Sequence, residues 1–202
     1  QRSRERAQTL GMDRLTFVES SVIDLVPDAV TPEHPDANPG PLGRVDAVVA
    51  LHACDRATDE AILLGLRSEA AFIAVVPCCQ AELAHELEGK AVHGALSPMW
   101  RAGMHRREFG AHLTNVIRAL VLESHGYRVR VTELVGWEHS LKNELIVAVR
   151  HQRGNSLARR QLATLLAALP PLPMWLLQQT GLDAASIAAE PADAEPADAE
   201  PA

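Results

Sequence analysis

The 202-residue chain lacks any run of about 20 apolar residues, so no segment is expected to span a membrane. It lacks the charged leader and following apolar stretch of a secretion signal. Cysteine is scarce: the three present cannot all pair with one another, and they do not make a disulfide-stapled secreted framework. These absences point to a cytoplasmic protein. An initial Met is also missing. Gln1 opens the chain, the residues after it read as the middle of a helix, and a piece of a longer protein is expected. What is present is ordinary for a globular domain: 47% apolar residues and a mean hydropathy of -0.03. A chain of this length buries a core without staples.

A strong excess of positive charge is missing too. The formal net charge is -7, but it is unevenly placed. Residues 183–202 carry a repeated AEPAD unit, with Asp183, Glu190, Asp193, Glu195, Asp198 and Glu200 and no Lys or Arg. Without them the balance is about -1. The repeat has almost no large apolar side chain to offset its ordering entropy, so it is expected to be a disordered, solvated tail. In the body, Arg101, His105, Arg106 and Arg107 form one basic cluster, and Arg150, Arg153, Arg159 and Arg160 another. That is too little for a nonspecific DNA binder. Each cluster fits either a phosphate-bearing substrate or a solvated helix face.

The pattern along the chain is α/β. Residues 2–10 read as a helix end closed by Gly11. Residues 14–19 (RLTFVE) predict a strand, and 27–43, with five prolines and two glycines, a loop. The runs 45–51 (VDAVVAL) and 71–76 (AFIAVV) predict strands buried on both faces. Between them Thr58 reads as an N-cap, with Asp59 and Glu60 in the favourable first turn. A short helix is predicted over 81–88, irregular chain over 89–105, and a long amphipathic helix over 107–124. Residues 128–134 and 144–150 predict an antiparallel pair, and 156–169 and 174–180 further helices. Strands alternating with helices imply a mostly parallel sheet covered on both faces, with ligands beyond the carboxyl ends of its strands.

Those strand ends carry the candidate chemistry. All three cysteines follow the two buried strands: Cys54 lies in Leu51-His52-Ala53-Cys54-Asp55, and Cys78 and Cys79 in Pro77-Cys78-Cys79-Gln80. If the strands are neighbours, these residues converge on one crevice. Three readings are open. His52 and the cysteines have the ligand types of zinc, though the H-x-C and C-C spacings are tight for it. A cysteine beside His52 has the makings of a nucleophile. Or the cysteines are small apolar fillers of the crevice floor. His52 suits a general base or a cofactor contact. Asp55 suits the same site or the start of the next helix. Gln80 offers an amide to a base edge or a cap to a helix.

The segments Leu51-His52-Ala53-Cys54-Asp55, Ala57-Thr58-Asp59 and Pro77-Cys78-Cys79-Gln80 resemble the LHACDxATD and PCCQ motifs of a family of class I S-adenosylmethionine-dependent methyltransferases. His139-Ser140-Leu141-Lys142-Asn143 is similar to the family's HTxKN segment, with Ser140 where Thr is common. The resemblance runs from about residue 10 to 180. One branch of the wider family contains tRNA ribose 2′-O-methyltransferases. The resemblance implies a Rossmann-like sheet of order 3-2-1-4-5-7-6 with an antiparallel last strand, the strands of this chain becoming numbers three to seven. It further implies that the first strand, its Gly-rich loop and the acidic end of the second strand lie upstream of Gln1, so that this chain alone would be inactive. Residues 1–155 would be the later part of the methyltransferase domain, 156–182 a helical extension packed on it, and 183–202 the acidic tail.

By the same resemblance the cofactor is S-adenosylmethionine, held by Ser20, Ser21, Val22, Leu51 and His52. The family often has Asp where Ser21 stands. His52 and Asp55 would be catalytic. Pro77, Cys78, Cys79 and Gln80 would shape the acceptor pocket, and Arg101, Arg106 and Arg107 would meet the phosphates of an RNA, tRNA among the candidates. No metal, membrane or protein partner is implied. The alternatives are a small-molecule or protein methyltransferase, and a non-catalytic binding module of the same fold.

Overall fold

The computed structural model describes residues 2–28, 40–51, 53, 56–77, 82–88, 90, 97–134 and 144–189. Helix α1 (Arg2–Thr9) comes first, and Gly11 ends it with φ +65°. A single 3-10 turn follows at Ile23–Leu25. Strand β1 (Ala47–Leu51) then leads into α2 (Arg56–Arg67), and β2 (Phe72–Val76) into α3 (Glu82–Glu86). Helices α4 (Pro98–Arg101) and α5 (Gly103–Ser124) precede the hairpin strands β3 (Tyr127–Glu133) and β4 (Glu144–Arg150). Helices α6 (Ser156–Ala167), α7 (Trp175–Thr180) and α8 (Ala184–Ala189) complete the described chain.

The four strands form one sheet in the order β1-β2-β4-β3. β1 and β2 are parallel, with Leu51 opposite Val76, and β4 runs antiparallel to both β2 and β3. This mixed α/β architecture is consistent with a methyltransferase fold, and its order is the one implied for the last four strands, 4-5-7-6. Residues 14–19 are not a strand. Their β propensity finds no ladder partner among the described strands, and Leu15 and Val18 stay exposed. A strand with neither a neighbour nor a covered face has nothing to stabilise it.

The core lies on one face of the sheet. Val48, Ile73, Val75, Ile146 and Ala148 pack there against Ile62 and Leu63 of α2 and Leu113, Ile117 and Val121 of α5. Leu162 of α6 and Leu176 and Leu177 of α7 extend the same core, each at most 1% exposed. Burying one such Leu or Ile contributes roughly 2 kcal/mol of transfer free energy. The other face departs from the expectation of strands buried on both sides. Val49, Leu51, Phe72 and Val149 share it and are exposed, whereas Ala74 and Val76 of β2 on the same face are buried as expected.

Two close approaches fix the helices. A Cβ on Gly110 of α5 would lie 2.8 Å from Ala84 N and 2.9 Å from Ala84 Cα, so α3 and α5 meet backbone to backbone there. Gly126 joins α5 to β3 at φ +85°, where a Cβ would fall 2.2 Å from Gln152 O.

Several element boundaries differ from the sequence pattern. Thr58 is not an N-cap: it lies in the first turn of α2, and its hydroxyl donates to Ala53 O. The stretch over 89–105 is not wholly irregular. Pro98 sits in the first turn of α4, where its missing N–H costs nothing, and α5 begins at Gly103. The first residues of the expected tail form α8, whose start is capped by Asp183 accepting from Ala185 N and Ser186 N. The AEPAD repeat from Glu190 onward lies outside the described residues.

Candidate functional site

The sheet has one edge at which every chain segment of interest enters or leaves. The parallel pairing brings the carboxyl ends of β1 and β2 side by side, Leu51 next to Val76. β4 starts at the same edge: Ile146 pairs with Val75, and Glu144 with Glu133 at the end of β3. Residues 52–55 follow Leu51, residues 77–80 follow Val76, and residues 139–143 precede Glu144. All three sequence motifs therefore attach to one edge. His52, Cys54, Asp55, Cys78, Cys79, Gln80 and the 139–143 segment themselves lie outside the described residues.

Leu51 is 60% exposed at the end of β1. Pro77 is buried. The Thr58 hydroxyl bond to Ala53 O folds the first turn of α2 directly onto the exit of β1. Ser20 and Ser21 are exposed, and the Ser20 hydroxyl donates to Ser21 O at 3.1 Å. Val22 precedes the 3-10 turn and packs against the core, and that turn rests on α2.

A buried polar network ties the edge together. Asp59 in the first turn of α2 accepts from Arg118 Nε at 2.7 Å. Arg118 Nη1 also donates to Asn115 Oδ1 at 3.1 Å, and Asn115 Nδ2 donates to Glu144 Oε2 at 2.9 Å. Helix α5 thus joins the first turn of α2 to the first residue of β4. Sequence reasoning missed this network. Arg118 and Asn115 sit beside an apolar helical stripe, and nothing in the local pattern marks their burial.

The basic cluster divides. Because Asn115 reaches Glu144 at the edge, the eight residues from Asn115 back to Arg107 carry α5 roughly 12 Å along its axis toward its amino end. The chain enters α5 on the side of the motif segments, since its other end feeds the far end of β3. Arg101 and Arg107 are exposed there, with Met99 and Met104 open beside them. Arg106 is committed elsewhere: it pairs with Glu88 Oε1 at 2.8 Å.

The carboxyl-terminal helices also reach this edge. Trp175, the first residue of α7, donates its backbone N–H to Glu82 Oε1 at 3.0 Å. The Arg56 guanidinium lies over its indole, 4.6 Å from the ring centroid. Lys90 donates to Pro171 O. The prolines before Trp175 were legible only as a break between helices.

A family model described as a methyltransferase domain matches residues 1–86, the stretch from α1 through α3 that contains the 51–59 and 77–80 motifs. The match supports a methyltransferase, and with it transferase chemistry. No curated protein and no solved structure gives a significant match.

Proposed function

We propose that the protein is an S-adenosylmethionine-dependent methyltransferase that acts on RNA. The observation that carries this reading is the convergence of the three motif segments on one sheet edge, within a chain whose first 86 residues match a methyltransferase model.

The described residues suit the adenine side of such a cofactor. Leu51 offers an open apolar surface, Val22 a half-buried one packed against the core, and Ser20 and Ser21 are exposed. The cofactor, when bound, supplies a methyl group on a positively charged sulfur. The chain's part is alignment and exclusion of water. His52 takes the proton of the acceptor oxygen or nitrogen, and Asp55 is the second catalytic residue. Pro77, Cys78, Cys79 and Gln80 are assigned to the acceptor side. Arg101 and Arg107 bind phosphates on either side of the target nucleotide. Arg106, paired with Glu88, is left out of that role.

Calorimetric titration of S-adenosylhomocysteine into the product of the complete reading frame tests the cofactor assignment. Binding is expected, and Leu51→Glu, at an already exposed position, is expected to weaken it. Absence of heat with the parent protein would refute it.

A further inference from the structure

Stability alone does not call for the buried network on α5. Apolar side chains of similar volume often match or better a buried ion pair. What the network supplies is direction: apolar contacts slide, whereas hydrogen bonds hold set distances and angles. It has two ends. At the first, Thr58 and Asp59 are consecutive in the first turn of α2, and both are buried. The Thr58 hydroxyl holds Ala53 O, two residues past the end of β1, while Asp59 is held by Arg118 Nε. At the second end, Asn115 Nδ2 holds Glu144, the first residue of β4, which directly follows Asn143. Arg118 Nη1 closes the line by donating to Asn115 Oδ1. The helix between the two ends is itself fixed, because Ile117 and Val121 are wholly buried and Gly110 meets the backbone of Ala84.

We propose that Arg118 and Asn115 are positioning residues for methyl transfer. Together they set the distance between the first turn of α2 and the start of β4, the two points that residues 52–55 and 139–143 lead into. This rests on the methyltransferase reading and adds to it two residues outside the three sequence motifs. An in-line displacement tolerates little misplacement, and an error of about 1 Å costs on the order of 100-fold in rate. Packing and positioning differ in one respect. An apolar replacement that preserves the fold preserves the rate only if the network's task is packing.

The test uses the product of the complete reading frame and saturating methyl-labelled S-adenosylmethionine. The acceptor is heat-inactivated extract of cells lacking the gene, with label in RNA and protein counted together, so that the outcome does not depend on the acceptor class. Thermal melting and S-adenosylhomocysteine calorimetry are run on the same samples. The double variant Asp59→Leu with Arg118→Met is expected to melt near the parent and to bind S-adenosylhomocysteine nearly as well. Its transfer rate is expected to fall about tenfold or more. Glu144→Gln keeps an acceptor for Asn115 and is expected to retain the rate, whereas Glu144→Leu removes it and is expected to lose rate. Glu144 is only partly buried, so this pair decides the matter even if the double variant does not fold. A folded double variant with the parent's rate overturns the proposal and leaves the network a packing feature. Equal rates in Glu144→Gln and Glu144→Leu overturn the Asn115 link. A parent that neither binds S-adenosylhomocysteine nor transfers label refutes the methyltransferase reading beneath the proposal, a failure visible before any variant is compared.

Discussion

Arg118 Nε lies 2.7 Å from Asp59 Oδ1, and both side chains are 1% exposed. A buried pair of this kind costs desolvation of two ions and recovers it through close geometry and added hydrogen bonds, here from Asn115. Removing one partner takes away the counter-charge closest to the other. Arg118→Ala or Asp59→Ala is therefore expected to lose about 3–5 kcal/mol in urea unfolding. The double change Arg118→Met with Asp59→Leu is expected to be far milder than the sum of the singles. Strict additivity would contradict the account.

Gly110 sets the distance between α5 and α3. A methyl group there meets Ala84 backbone atoms at 2.8 and 2.9 Å, which cannot move aside as a flexible side chain would. Gly110→Ala is expected to cost about 1–3 kcal/mol through overpacking, read from the urea midpoint. A neutral result would mean that α3 is free to shift.

His125 predicts a pH dependence of stability. Burial holds its pKa below the ordinary 6.5, outweighing the bond between Nδ1 and Val121 O, and the nearby Arg159 charge acts in the same direction as burial. As pH falls, the unfolded chain gains this proton first. The contribution is full above about pH 6.5 and is lost as pH falls through the folded value. His125→Gln is expected to flatten that part of the stability curve. An unchanged slope in the variant would assign the acid sensitivity to other groups.

The arginines at the start of α5 are not equivalent. Arg101 and Arg107 are exposed, whereas Arg106 pairs with Glu88. Arg101→Gln with Arg107→Gln is expected to weaken RNA binding and lower the salt slope by about two. Arg106→Gln is expected to leave that slope nearly unchanged. The reverse ranking would place the phosphates elsewhere.

Much of this fold is readable from sequence because its elements are locally consistent. The apolar runs ending at Leu51 and Val76 are strands, and their parallel neighbourhood follows from the helix between them. The stripe from Leu113 to Val121 is the buried side of α5. The failures share one cause, the need for tertiary context. Residues 14–19 have strand chemistry but no pairing partner in the described sheet. Pro98 reads as a breaker yet starts α4. Of the site, the common edge of the strand ends was legible. Arg118, Asn115, Arg56 and Trp175 were not, because each acts through a partner distant in sequence or on another element.

We propose methyl transfer to RNA at this sheet edge. The most direct measurement is transfer of tritium from methyl-labelled S-adenosylmethionine to total RNA by the product of the complete reading frame. Label that RNase removes, and that His52→Ala abolishes in a protein that still melts cooperatively, is the predicted result. No label in RNA, or full transfer by folded His52→Ala, would contradict the account.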